Sequence, residues 1–364
     1  MRATAALVVL LNHAYAQFTT PLATEPPSWT VLFRWFMVLG HLAVSVFIVI
    51  SGFCLMLPVV RADGVLRGSA RDFFRRRARR ILPPYYAAMF LSLLLIWTVI
   101  GKPTGTLWDI PIDYRPQDLV AHLLLVQDVF GTGKINYAFW SIAAEWHIYF
   151  FFPALVFCWR RFGALTTTLT ALVASQLFSL SIQSTRIARA NPHYFGLFVL
   201  GMCGAWLARS QSPNAVRARK FPWSASALAL LGCAAALILH WGWTASIARW
   251  IWLDPLVAAG TLCLLVASSQ GTPSAVARVF GFRPLVWIGA FSYSLYLVHA
   301  PLLQLFWQYV MRPLGLVAQP GAFAFLLLAG CPLIIAAAWC FFWICERPFL
   351  GATAKAAKTK EALL

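Results

Sequence analysis

Four ionisable side chains stand inside runs of sequence apolar enough to cross a membrane: His13, Glu145, His147 and His299, with Asp254 near the end of another such run. An ionisable group in lipid is costly, so it faces protein or water and is a functional candidate for that reason. Arg2 and His13 are separated by almost three helical turns and share one face of the first apolar run. His13 therefore stands roughly 16 Å beyond Arg2, past the middle of a bilayer. Glu145 falls roughly 9 Å from the outer surface, and so about 21 Å from the inner one. His299, counted from Leu285, reaches a similar height of roughly 21 Å. A carboxylate beside an imidazole fixes its tautomer and raises its basicity, which is the logic of a general base. A polar network that only fixes helix packing would use the same residue types.

A second chemistry lies in Phe73-Phe74-Arg75-Arg76-Arg77-Ala78-Arg79-Arg80-Ile81-Leu82-Pro83-Pro84, at the mouth of an apolar run. On a helix Arg76 and Arg80 share a face, as do Arg77 and Arg80. Pro83 is expected at the first position of the following helix, where its missing N–H costs nothing. Guanidinium forks there suit a phosphate-rich ligand reached from the cytoplasm. Anionic lipid headgroups are the plainer partner.

The elements that must hold these groups are membrane spans. Of the 364 residues, 61% are hydrophobic and only 11% charged, which excludes a soluble or a disordered chain. Ten segments have spanning length, at 3–20, 33–57, 83–100, 139–158, 163–182, 194–208, 223–242, 250–268, 285–307 and 322–345. Residues 118–130 are too short and are bracketed by Asp118 and Asp128, so they are expected to form an interfacial or re-entrant helix. With the N-terminus inside, 21 of the 29 Lys and Arg residues fall on cytoplasmic segments and 8 on outer ones. That bias supports ten spans with both termini cytoplasmic. It also accounts for the net charge of +18 without nucleic acid.

The eight cysteines lie singly in apolar runs, so neither a disulfide framework nor a metal site is expected. No cleavable signal peptide is expected, since nothing before Thr19–Pro21 resembles a cleavage site. The expected organisation is one integral-membrane domain over 1–350 and a short basic cytoplasmic tail over 351–364.

Together these pieces resemble the acyltransferase 3 family, integral-membrane O-acyltransferases of bacterial polysaccharides, lipopolysaccharide and some antibiotics. Arg2 and His13 match the family's opening Arg-to-His motif in spacing. Phe47-Ile48-Val49-Ile50-Ser51-Gly52-Phe53 is similar to its FFVLSGF run, and Arg76-Arg77 with Arg80-Ile81-Leu82-Pro83 to its RRxxRIxP motif. Trp140-Ser141 followed by Glu145, Tyr149 and Phe152-Pro153 is similar to WSLxxExxxYxxFP. Ser292-Tyr293-Ser294-Leu295-Tyr296-Leu297-Val298-His299-Ala300-Pro301 and Glu346-Arg347-Pro348-Phe349 are similar to the late SYSLYLxHxP and closing ERPF motifs. Three features depart from the pattern. The family usually has several residues before its Arg, Ser45 stands where many members carry Asp, and Trp146 where many carry a second Glu.

The resemblance implies an all-α polytopic bundle in the bacterial cytoplasmic (inner) membrane. It implies transfer of an acyl group, usually acetyl from cytoplasmic acetyl-CoA, to a hydroxyl of a glycan or glycolipid. No bound cofactor is expected; acyl-CoA is a co-substrate. His13 falls at the catalytic centre, with Glu145 as its partner, and Arg2, Arg76, Arg77 and Arg80 on the donor side. Trp140, Ser141, Tyr149, Tyr296 and His299 are expected around the acceptor pocket. His13 either activates the acceptor hydroxyl or first carries the acyl group itself. Two other classes are open on sequence. A transporter or flippase of a glycan or lipid would also use a titrating His and Glu, but no repeat or paired broken helices are visible. A scaffold without activity would not need the Arg cluster.

Overall fold

The computed structural model describes residues 1–18, 35–131, 133–270, 275–317 and 321–351. The expectations for the tail beyond Gly351, for the segment at Thr19–Pro21 and for Arg34 lie outside the described residues. Among the described residues every regular element is helical. In chain order the α-helices are α1 (Arg2–Ala16), α2 (Trp35–Val60), α3 (Ala70–Leu95), α4 (Asp109–Ile112), α5 (Pro116–Leu123) and α6 (Gln127–Phe130). They continue with α7 (Trp140–Phe162), α8 (Ala164–Ser181), α9 (Tyr194–Arg209), α10 (Pro213–Ala218), α11 (Trp223–Ala248) and α12 (Trp250–Ser268). The last are α13 (Ala275–Phe280), α14 (Arg283–Ala290), α15 (Ser292–Phe306), α16 (Ala322–Phe325) and α17 (Cys331–Phe341).

Among the described residues seven helices are long and apolar enough to cross a membrane, including Met37–Val60, Ala70–Ile100, Trp140–Phe162 and Ala322–Phe349. Helix α14 and the stretch Ser292–Met311 pass the same test as a bent pair. The chain is a multi-pass membrane protein. Helices α1 and α9 have 15 and 16 residues, which is shorter than the roughly 30 Å of a hydrocarbon core at about 1.5 Å per residue.

Two sequence expectations need correction. The segment 285–307 is not one straight span, because α14 and α15 meet at a 77° bend. Phe291 leaves helical geometry there, at φ −119° and ψ 21°. The new N-terminus of α15 finds a buried carboxylate: Glu346 accepts from the Ser294 backbone N–H at 3.2 Å and from Ser294 Oγ at 2.7 Å. A helix start has unsatisfied N–H groups and favours a negative charge, so Glu346 stabilises the break. Pro83 is the second correction. It lies inside α3 with Pro84, so the arginines and the span after them form one helix. Interior prolines deprive a turn of its internal hydrogen bonds. Beside that turn, Tyr293 Oη donates to the Ile81 carbonyl at 3.1 Å.

Residues 118–130 form α5 and α6, of eight and four residues, too short to span. Pro116 opens α5, and the Asp118 carboxylate accepts from the Arg115 N–H at 2.8 Å. Burial pushes the His122 imidazole down to about 4, so it is neutral at physiological pH.

Two compact units divide the described residues. The first takes Met1–Gly40, Arg76–Ala143 and the chain from Arg283; the second takes His41–Arg75 and Ala144–Phe282. In the first, α1 packs on α14 and α15, and α15 on α17. Ala3, Ala5, Ala6 and Ala14 are buried on α1, the small residues that let helices approach where lipid gives no hydrophobic drive. In the second unit, α9 packs on α8 and α12, and α12 on α11. There α2 and α9 cross backbone on backbone at Gly52 and Gly201. A Cβ on Gly52 would stand 1.9 Å from the Phe198 carbonyl oxygen, and one on Gly201 2.0 Å from that of Val49. This contact explains the glycine of the Phe47–Phe53 run.

Candidate active site

The first unit brings His13 of α1 against His299 of α15. His13 Nδ1 lies 2.7 Å from His299 Nε2, and the rings stack at 5.0 Å with 10° between planes. His299 is 1% exposed, while His13 is half-buried. The equal height that residue counting gave these two side chains is realised, although the bend before α15 makes the straight count from Leu285 the wrong route to it.

The hydrogen bonds decide which nitrogen carries which proton. His299 Nδ1 faces two backbone carbonyls, of Tyr296 at 2.8 Å and Leu295 at 3.2 Å. A carbonyl only accepts, so Nδ1 of His299 carries the proton. In neutral His299 the lone pair is then on Nε2, and it accepts from Nδ1–H of His13. That leaves the lone pair of His13 on its own Nε2, which has no hydrogen-bond partner among the described residues. A half-buried imidazole with its tautomer fixed and a lone pair available is a base or a nucleophile.

The segment before α7 closes around this pair. The Tyr137 ring meets the His13 ring edge-on, with centroids 4.6 Å apart, and Trp108 meets Tyr137 at 6.0 Å. Tyr296 Oη donates to the Ala138 carbonyl at 2.9 Å. Its single proton is thus used, so the 2.5 Å bond to Ser141 runs from Ser141 Oγ to Tyr296 Oη. Asn136 Nδ2 donates to the Leu297 carbonyl at 3.2 Å, tying the same segment to α15. Of the expected acceptor-side residues, Ser141, Tyr296 and His299 are therefore joined by contacts within this unit. Trp140 begins α7, half-buried.

Arg2, Arg76, Arg77 and Arg80 also belong to the first unit. Because α3 is continuous there, the i,i+4 and i,i+3 relations among the last three hold. Arg76 is exposed, and Arg77 and Arg80 are half-buried.

Glu145 and Tyr149 belong to the second unit, where the Tyr149 hydroxyl donates to Glu145 and lies 2.7 Å from Ser51 Oγ. In the first unit the tautomer-setting role expected of a carboxylate is performed by His299 and two carbonyls. His147 lines an apolar cavity of about 370 Å³ with Phe151, Phe178 and Asn191. Asp254 is fully buried. It accepts from Ser45 Oγ at 2.6 Å and faces His41 Nε2 at 2.9 Å and His193 Nε2 at 2.8 Å. Ser45 thus meets a carboxylate delivered by α12.

Sequence reasoning missed Gln17, Tyr137, His41, His193 and the role of Glu346. Gln17 had a signal, since it lies one turn past His13 on the same face of α1. Tyr137 had none, because its approach is set by a loop.

Comparison with known proteins identifies the family. A family model described as an acyltransferase domain, that of the acyltransferase 3 family, matches residues 1–343. The peptidoglycan O-acetyltransferase OatA of Listeria monocytogenes is 23% identical over 326 residues, covering 82% of this chain and 49% of that protein. The O-acetyltransferase OatA of Staphylococcus aureus is 27% identical over 288 residues, covering 72% and 46%. Acyltransferase MdmB of Streptomyces mycarofaciens is 33% identical over 122 residues, covering 32% and 28%. The chain spans about half the length of the OatA proteins it matches. No solved structure matches it. Nothing among these relatives supports the transporter reading. The ordered motifs, the helical architecture and a match over residues 1–343 place the chain in the acyltransferase 3 family.

Proposed function

We propose that this chain is a membrane O-acyltransferase of the bacterial inner membrane, with ten spans, cytoplasmic termini and His13 at its transfer centre. The donor is an acyl-CoA, acetyl-CoA first, held from the cytoplasm by Arg76, Arg77 and Arg80, with Arg2 at the inner end of α1. The acceptor is a hydroxyl of a glycan or glycolipid, and peptidoglycan is the first to test because the Listeria monocytogenes relative is named a peptidoglycan O-acetyltransferase. The observation that carries the reading is the Nε2 lone pair of His13, fixed by His299. In the proposed step the acceptor oxygen bonds the acyl carbon and the thioester C–S bond breaks. The acceptor's proton passes to His13 Nε2 and then to the leaving thiolate, which restores the neutral imidazole.

Purified protein given radiolabelled acetyl-CoA and a glycan acceptor tests this. Label on the glycan supports it; movement of the glycan without modification overturns it. Glu145 enters the proposal through Glu145→Gln. A fall in turnover puts it in the chemistry, and a change confined to the acceptor constant makes it a substrate ligand.

A further inference from the structure

Two buried polar side chains beside His13 have hydrogen-bonding capacity that the protein leaves unused. Gln17 follows His13 by one turn on the same face of α1, roughly 6 Å further along, on the side away from Arg2. It is 2% exposed, and neither its amide nitrogen nor its amide oxygen has a partner among the described residues. Tyr137, whose ring rests on His13, is 7% exposed, and its hydroxyl has no partner either. A buried amide with both ends unsatisfied weakens a fold, and native structures seldom keep one without a reason. Here one such amide and one unpartnered phenol stand beside one imidazole.

Resting on the acyltransferase reading, we propose that Gln17 and Tyr137 are the polar contacts that receive the acceptor's sugar hydroxyl beside His13. The chemistry favours an alcohol over the donor. An amide and a phenol each donate and accept, and so does a sugar hydroxyl; a thioester carbonyl only accepts and would leave the Gln17 oxygen unsatisfied. Position agrees, because Gln17 lies beyond His13 on the side away from the Arg2 end of α1.

The test compares the full-length protein with Gln17→Leu and Tyr137→Phe, using acetyl-CoA as donor and N-acetylglucosamine oligosaccharides as acceptor. Each variant should lower acceptor kcat/KM about ten- to a hundred-fold, mainly through KM, and change the donor constant by less than about twofold. Thermal midpoints should stay level or rise, because each substitution deletes a group that the empty protein leaves unsatisfied. That combination separates a substrate contact from a structural one. Unchanged acceptor kinetics would mean that water alone satisfies these groups, and would overturn the proposal. So would a lower midpoint with both constants impaired. If the wild type transfers acetyl to no acceptor, the acyltransferase reading fails and this inference falls with it. If the wild type is active and the variants match it, only this inference fails.

Discussion

Each unit contains a pair of imidazoles, and the two pairs are wired in opposite ways. In the second unit His41 and His193 both point Nε2 at the one carboxylate of Asp254, whose other oxygen is taken by Ser45. The partners converge and the cluster closes on itself. In the first unit, among the described residues, no carboxylate bonds to either imidazole of the pair. Two backbone carbonyls hold His299, His299 holds His13, and the chain of bonds ends on an unused lone pair. An acid beside a histidine thus marks the closed cluster here, and the open pair is held without one. What distinguishes a reactive imidazole is a fixed tautomer with one nitrogen left over.

The largest expected effect tests that difference directly. His13→Ala should lower acyl transfer by about 10²–10⁴ or more without loss of folded protein, because it removes the leftover nitrogen. Full activity in that variant would erase the contrast. Asp254→Ala should act on stability instead, since it strands the buried donors of Ser45 and His193 and takes one partner from His41, at a cost of about 3–5 kcal/mol in thermal or denaturant unfolding. A variant that unfolds normally but no longer turns over would move the chemistry to the second cluster.

His299→Leu should have a smaller effect on turnover, about ten- to a hundred-fold, since His13 keeps its ring but loses the acceptor that fixes its tautomer. His299→Gln should recover part of the loss, because an amide oxygen can accept from Nδ1–H of His13. If Leu and Gln behave alike, His299 is packing. At the donor side the effect is expected on binding and not on turnover. Arg77→Gln should raise the apparent donor constant about ten- to a hundred-fold and spare the acceptor constant, with Arg77→Lys rescuing only in part. Arg67→Gln, outside the motif, is the control and should be nearly silent. Equal donor constants for all three variants would leave the arginines to lipid headgroups.

Composition and charge sufficed to make the chain a multi-pass helical membrane protein, because a hydrocarbon core admits few other ways to satisfy a backbone. Helical periodicity put Arg2 and His13 on one face, and put Arg76 and Arg80 on another, since those relations lie within a single helix. The height of His299 was not legible that way, because the 77° bend before α15 breaks the count of rise per residue from Leu285. Nor was partnership. Which nitrogen His299 offers depends on the carbonyls of its own preceding turn, and that turn exists in this place because the chain bends at Phe291 and Glu346 arrives from 52 residues away to receive the new helix start. The approach of Tyr137 to His13, and of His41 and His193 to Asp254, is likewise the meeting of distant segments. A sequence pattern fixes what lies along one helix, including the carbonyls that hold His299; only packing fixes what lies across from it, and it is across helices that His13 receives its proton position.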